Sequence, residues 1–398
     1  MFLYDSSHSG ATSSTGPAEH VKLWSYPEGH FDGYFIGSSA AVVNGIVYVG
    51  SNWNGFQGYN GGNIYAFNAY TGDKIWNFST ESAVYSSPAV SDSKVFIGAG
   101  FDVYAFNALS GVKVWSFATG IRVDSSPAVV SNMVYVGSWD GNVYAIDALT
   151  GTKVWNYTTG NSVTSSPAVV NGVVYVCSDG IYALNASTGM KFWNAPWAGG
   201  DSSPAVSDGI VYTGTTSALL ALNAKNGEKI WSSQISSLSN NLADPSPAFA
   251  NGIVYIGSNN GGLYAFNAST GLQIWNRKDS ALSMIYSSPA VANGVVYTSG
   301  YGYIYALNAS TGDQIWITNT DNVINASPAI SNSVLYIASQ DGNFYAIGKP
   351  TTVPPIITLE NNWIIITAAV LVIISVTGLL ILLSTEKKAI ARLFSKLM

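Results

Sequence analysis

The stretch SSPAVVSNMVYVGSWDGNVYAIDALTGTKVWNYT, residues 125–158, decides the fold. It consists of four short apolar runs, β-branched and aromatic in character, separated by Ser-Asn, Asp-Gly and Thr-Gly. Runs of that composition are strands, and those dipeptides supply the positive φ that tight hairpin turns require. Pro127 suits the start of the first strand, where one ladder donor can be spared. Four short antiparallel strands in about forty residues make one propeller blade.

The same grammar recurs along the chain, and a recurring period outranks any local reading. The Ser-Pro-Ala anchor returns at Pro88, Pro127, Pro167, Pro204, Pro247, Pro289 and Pro328, while Ser-Ser-Ala-Ala at Ser38 is a degenerate first copy with Ala40 in the proline position. The spacings are 48, 39, 40, 37, 43, 42 and 39 residues, which gives eight copies. Trp76, Trp115, Trp155, Trp193, Trp231, Trp275 and Trp316 each fall in the fourth strand of a copy. The eighth copy, 327–347, has three strands and no tryptophan; the segment VKLWSY with Trp24 supplies the fourth and removes an open edge. The fold expected is all-β: one eight-bladed β-propeller over residues 20–347, closed by an N-terminal strand and preceded by an extension of residues 1–19. Helical solenoids of similar period are excluded, because no window before residue 363 has a 3.6-residue period.

Composition supports a large packed fold rather than a disordered chain. Of 398 residues, 47% are hydrophobic and 13% aromatic, although only 10% are charged. The single cysteine excludes an internal disulfide. Net charge is −6, which argues against a nucleic-acid partner. The three histidines, His8, His20 and His30, lie in the first thirty residues, so the blades hold no imidazole for general-base work or a histidine metal cluster.

Residues 363–384 begin WIIITAAVLVIISVTGLLILL and carry no charge. Twenty-one apolar residues span roughly 31 Å as a helix, the thickness of a bilayer core. A single C-terminal transmembrane helix is expected, reached by a Pro-containing linker, 348–362, and followed by a basic tail, 385–398, with Lys387, Lys388, Arg392 and Lys396. By the positive-inside rule the tail is cytoplasmic and the propeller lies outside the cell. The N-terminus has neither a basic region nor an apolar core of a signal peptide. Two explanations stay open: a leader missing from this sequence, which we favour, or a tail-anchored protein with its ring in the cytosol.

The run Asn-Ala-Ser-Thr-Gly with a tryptophan four residues after the glycine (Asn185 to Trp193, Asn267 to Trp275, Asn308 to Trp316), preceded by Val-Tyr-Val-Gly-Ser and Asp-Gly-Asn, resembles the pyrroloquinoline quinone (PQQ) repeat family of eight-bladed propellers. The resemblance covers about 80% of the chain. It implies that Trp24 and the seven repeated tryptophans dock neighbouring blades. That family includes quinoprotein dehydrogenases, the lipoprotein of outer-membrane protein assembly, and surface proteins without known activity. For the dehydrogenases it implies PQQ, a calcium ion held by carboxylate and amide groups, a vicinal disulfide and an aspartate base. One cysteine, Cys177, cannot form a vicinal disulfide, and it reads as a buried small hydrophobe.

Residues just before each anchor face the mouth of the central channel. Asp124, Asp201 and Asp244 stand there with Arg122 nearby, a possible oxygen-ligand set for a hard cation or simply a polar funnel. Asp140, Asp179 and Asp341 belong to Asp-Gly turns, and the serines read as turn and edge residues. The insertion NWNGFQGYNGG, 52–62, displays Trp53, Phe56 and Tyr59 in the loop after the second strand of the first blade. Trp139 holds the matching turn of the third blade and Trp197 the link before the fifth. Aromatics among neutral polar residues suit a sugar ring or a protein partner, unless they pack on adjacent loops. Sequons at Asn77, Asn156, Asn185, Asn267, Asn308 and Asn325 suit a glycosylated surface protein, although the repeat itself generates several of them. The function expected is a membrane-anchored, non-catalytic binding or scaffold module for a protein or glycan, with no cofactor; the alternative is a PQQ- and calcium-dependent dehydrogenase.

Overall fold

The computed structural model describes residues 5–26, 38–54, 60–196, 201–215, 217–235, 246–258, 262–278, 285, 287–320 and 322–350. Eight antiparallel sheets follow one another around a ring. Blades 1 to 7 run over residues 41–80, 89–118, 128–158, 168–195, 205–234, 248–278 and 290–319. Blade 8 takes three strands from 329–348, and β2 (Lys22–Tyr26) pairs antiparallel with Phe344–Gly348 to complete it. The predicted closure by the Trp24 segment is therefore what the chain does. The expected span at 363–384 lies outside the described residues, among which no helix is long and apolar enough to cross a membrane.

Blade 3 shows how sequence becomes blade. Its strands are Ala128–Val130, Met133–Gly137, Asn142–Asp147 and Lys153–Thr158, from the axis outward. The hairpin between the first two takes φ of 50° and 62° at Ser131 and Asn132; blade 4 uses Asn171-Gly172 at the same place. In the turn before the outer strand, the Asp147 carboxylate accepts the N–H groups of Leu149 and Thr150. Asn185, Asn267 and Asn308 do the same with their side-chain oxygens, which explains the Asn-Ala-Ser-Thr-Gly signature.

The core lies between blades rather than within them. Each outer strand carries a β-bulge at the residue before its tryptophan, as at Val114 and Val154, so that the indole turns towards the next sheet. Trp115 Nε1 donates to Ala148 O of blade 3, Trp155 to Ala186 O of blade 4, and so on round the ring to Trp24, which donates to Ala69 O of blade 1. The ring of Trp115 lies flat on Gly151, where a Cβ would come within 2.7 Å of it and where φ is +74°. Only glycine meets both demands. Seven of the eight indoles donate in this way to the following blade, and that of Trp316 donates to Pro17 O.

The anchor serines are not the turn and edge residues anticipated from composition: they are buried, as a pair in six anchors and as the second serine alone, Ser246 and Ser327, in blades 6 and 8. The first serine fastens its own blade, as Ser125 Oγ accepts the N–H of Gly137. The second fastens the next. Ser87 N–H donates to Ser126 Oγ, Ser126 to Ser166, Ser166 to Ser203, Ser203 to Ser246, Ser246 to Ser288, Ser288 to Ser327, Ser327 to Ser39 and Ser39 back to Ser87, all at 2.9–3.1 Å. Eight side chains thus close one hydrogen-bonded circle around the channel. Neighbouring inner strands diverge radially and cannot pair by a β-ladder, so a side-chain oxygen must accept each of these amides.

The N-terminal segment also belongs to the ring, so the boundary expected at residue 20 falls inside it. β1 (Ala11–Thr12) adds in parallel to Ala290–Ala292, making blade 7 five-stranded. Carbonyls of Ser6, Ser7, Ser9 and Gly10 accept N–H groups of Val169, Val206, Phe249 and Val291, the inner strands of blades 4 to 7. Blade 8 lacks an Asn-Ala turn for Trp316, and the Pro17 carbonyl takes its place, accepting from Trp316 Nε1 and the Tyr297 hydroxyl.

Ser126→Ala removes the acceptor of a buried N–H at Ser87 and should lower unfolding free energy by about 1–3 kcal/mol in urea titrations. A change within error would show that the serine circle does not contribute to stability.

Candidate functional site

The ring has two faces. One carries the links between blades and the turns between second and third strands, and we call it the link face. The opposite, turn face carries the inner hairpins and the Asn-Ala turns. On the link face Trp139 N donates to Arg122 O, and Gly120 N to Asp140, so link and turn are tied together. The Asp-Gly acids serve this purpose: Asp140, Asp179 and Asp341 accept from Tyr144, Tyr182 and Tyr345 hydroxyls at 2.6–2.7 Å. Burial pushes the Asp140 carboxyl up, yet the bonds from Tyr144, Gly120 and Asn142 outweigh it and leave it below the usual range.

At the channel mouth four links bring one cluster together. The Arg122 guanidinium lies over two rings, 4.3 Å from the Trp139 centroid and 5.2 Å from that of Tyr85. It forms an ion pair with Asp124 at 2.6 Å, and the same carboxylate oxygen accepts Trp139 Nε1 at 3.0 Å. The other oxygen, Oδ1, is buried and has no hydrogen-bond partner in the protein. Burial raises the Asp124 pKa against the pull of Arg122 and the Trp139 bond, and Asp201 adds repulsion. Asp201 accepts the Thr164 hydroxyl at 2.6 Å. Trp139 is 40% exposed and Tyr85 37%, so a cation held between aromatic faces stands open to solvent beside a carboxylate edge. Such an arrangement binds a planar or polar partner by stacking and charge-assisted hydrogen bonds.

The structure brings together four of the residues read from sequence: Arg122, Asp124, Asp201 and Trp139. Asp244, Phe56, Tyr59 and Trp197 lie outside the described residues. Trp53 is not in a loop: the insertion prolongs the hairpin, with strands Ile46–Asn54 and Asn60–Asn68, and Trp53 pairs with Gly61. Tyr85 and Thr164 were missed, although their sequence position, directly before the serine pair, is that of Asp124.

Behind the mouth the channel holds the chain's own N-terminal segment. His8 is fully buried there, in a left-handed conformation with φ 54°, and its Nδ1 donates to Pro204 O at 3.1 Å. Asp5 organises the segment, accepting from the amides and hydroxyls of Ser7 and Ser9. Cys177 is buried in the second strand of blade 4, its thiol pushed up to about 12 by burial, with the Thr213 hydroxyl 3.4 Å away. Among the described residues no group of three His, Cys, Asp or Glu side chains could hold a metal ion, and Asp124 already faces a cation. These residues do not fit the calcium and vicinal-disulfide centre of a quinoprotein dehydrogenase.

The geometry defines an eight-bladed PQQ-like repeat propeller whose channel mouth carries an aromatic-cation cluster. The family model described as outer membrane protein assembly factor BamB matches residues 11–180, 99–299 and 281–352, and the chain belongs to that family. Among solved structures it is similar to BamB from Moraxella catarrhalis, with TM-score 0.66, 19% identity, 83% of this chain and all of that one covered. It is also similar to quinohemoprotein alcohol dehydrogenase from Comamonas testosteroni (TM-score 0.72, 15% identity, covering 89% and 81% of the two chains). A europium-containing methanol dehydrogenase gives TM-score 0.70 at 12% identity, covering 88% and 97%. At these identities the likeness is one of fold. A search of curated proteins found no match.

His8 gives a pH signature. Burial lowers its pKa from 6.5 to about 4, despite Asp5 and the Pro204 carbonyl. The unfolded chain takes up the proton first, so stability is complete above pH 6.5 and falls as pH drops towards 4, by about 3 kcal/mol. His8→Asn, which tolerates positive φ, should abolish this component of the slope in urea titrations between pH 7 and 4. An unchanged slope would place His8 outside the channel.

Proposed function

We propose that this chain is a non-catalytic, membrane-anchored scaffold outside the cell, whose link face receives a protein partner at Arg122, Trp139, Tyr85 and Asp124. The observation that carries the reading is the guanidinium stacked between two half-open rings, beside a buried carboxylate oxygen that the protein leaves unpartnered. Arginine and large aromatics dominate binding hot spots, because each buries much area at little entropic cost. The family membership supports a scaffold, and the self-filled channel supports the absence of a quinone. Anchoring by residues 363–384 rests on their length and lack of charge. Asp124 and Asp201 serve in this reading as a polar rim rather than a cation site. Glycan binding is the variant favoured by the same exposed rings, and the dehydrogenase alternative draws on fold likeness alone.

Full-length protein with Trp139→Ala or Arg122→Ala should retain at least tenfold less envelope protein than wild type in capture from detergent-solubilised envelopes, a loss of about 1.4 kcal/mol or more. Equal retention would overturn the face; binding on a glycan array with the same sensitivity would select the glycan variant. Dye reduction by wild type loaded with PQQ and calcium would overturn the non-catalytic reading.

A further inference from the structure

We infer that the turn-face end of the channel binds an extended, Gly/Ser-rich segment of a partner protein along the inner strands of blades 1 to 3, in the way this chain's own N-terminal segment lies along blades 4 to 7. The inference goes beyond the link-face reading and does not use its cluster. Strand geometry gives each of these blades a free inner edge. The inner hairpins Asn44-Gly45, Asp92-Ser93 and Ser131-Asn132 all have positive φ. Such a two-residue turn makes its flanking residues a hydrogen-bonded pair, Val43 with Ile46, Ser91 with Lys94 and Val130 with Met133. The residue before, Val42, Val90 or Val129, then turns its N–H and C=O away from the sheet and towards the axis. In blades 4 to 7 the equivalent amides are those of Val169, Val206, Phe249 and Val291. They donate to the carbonyls of Ser6, Ser7, Ser9 and Gly10 at 2.5–2.9 Å, so a short run of backbone serves four blades. Blade 8 is served through its hairpin, where Ser333 N donates to Thr15 O. The Val42, Val90 and Val129 amides have no such acceptor among the described residues.

The two arcs are built alike, so what lies on one fits the other. A backbone is the occupant because three-residue strands of the same kind already hold a backbone on the far arc. The segment must be small in its side chains. At Gly10 a Cβ would come within 2.5 Å of the Ala248 Cβ, and φ there is +67°. Ala41, Ala89 and Ala128 hold the place of Ala248 in blades 1 to 3 and impose the same limit. Val42 and Val90 are half-buried, which leaves an apolar edge beside the amides. Between the inner hairpins of blades 3 and 4 lies a cavity of about 280 Å³, lined by Val130, Met133, Tyr135, Val154 and Val169. It admits one apolar side chain where the segment ends at blade 3. Main-chain bonds carry the affinity in recognition of this kind, so acceptor spacing and small size decide what binds.

The probe is a fluorescein-labelled peptide with the sequence of residues 6–12, Ser-Ser-His-Ser-Gly-Ala-Thr, added to the full chain in detergent. Anisotropy should report saturable binding, and the same peptide with leucine in place of glycine should not bind. Amide hydrogen exchange, resolved by mass spectrometry with electron-transfer fragmentation, reads the site directly. Without peptide the Val42, Val90 and Val129 amides should exchange faster than those of Val169, Val206 and Val291. With peptide at about ten times its Kd, exchange at the first three should slow about tenfold. Val129→Pro removes one donor and spares the ladder, so affinity should fall about five- to tenfold at an unchanged urea midpoint. No saturable binding overturns the inference, as do equal exchange in the two arcs before peptide is added and unchanged affinity in Val129→Pro. Binding that appears only after deletion of residues 1–4 also overturns it, because the chain's own end would then be the occupant.

Discussion

The buried amide at the second serine of each anchor is the constraint on which the ring depends. At the axis, neighbouring inner strands splay and leave no ladder between blades, yet these N–H groups are out of reach of water. Each would cost about 1–3 kcal/mol if unsatisfied. The next blade's serine oxygen answers that need, and the answer is cyclic: it closes only if the eighth donor, Ser327, finds Ser39. This explains why the second serine persists in every copy while its neighbours vary. Blade 1 has Ala40 for proline, and blades 6 and 8 have Pro245 and Ala326 for the first serine, but Ser39, Ser246 and Ser327 remain.

A second circle lies further out, where bulged outer strands press tryptophans on the glycine of the following turn. Its weak point is blade 8, whose third strand runs out at Gly348 with no Asn-Ala turn after it. The N-terminal segment compensates at both radii. Its backbone covers inner-strand amides within the channel, its Pro17 carbonyl receives Trp316, and its β2 strand supplies Trp24 to blade 1. Closure is thus performed by residues 5–26 as a unit.

The eight blades were legible because repetition multiplies a weak signal: one Ser-Ser-Pro-Ala is ambiguous, and eight in phase with seven tryptophans are not. Trp24 could be assigned because the blade that lacked a strand pointed to it. The serine circle was not legible, since serine beside proline is equally at home in a turn, and only the radial geometry reveals a buried acceptor. Residues 5–19 escaped for a different reason: their bonds to the blades run through backbone carbonyls, which leave no side-chain pattern. At the site, Asp124 and Trp139 stood out by charge and size. Tyr85 and Thr164 did not, because a tyrosine or threonine near a strand is ordinary. Trp53 was misplaced because the Asn-Gly pairs of the insertion suggested a loop, whereas the strands around it continue their ladder to Asn54 and Asn60.

Links, the turns between second and third strands and the stacked Arg122 occupy one face, while the inner hairpins, the Asn-Ala turns and the end of the strand Phe344–Gly348 occupy the other, an asymmetry fixed by strand direction alone. All of it presupposes that the circle is closed. Native-state amide hydrogen exchange tests this most directly, at the seam between Ser327 and Ser39. A closed ring predicts that the Ser327 and Ser39 amides exchange as slowly as those of Ser126 and Ser166, through the same global opening. Fast exchange at the seam with protection elsewhere would show an open arc of blades and contradict the account.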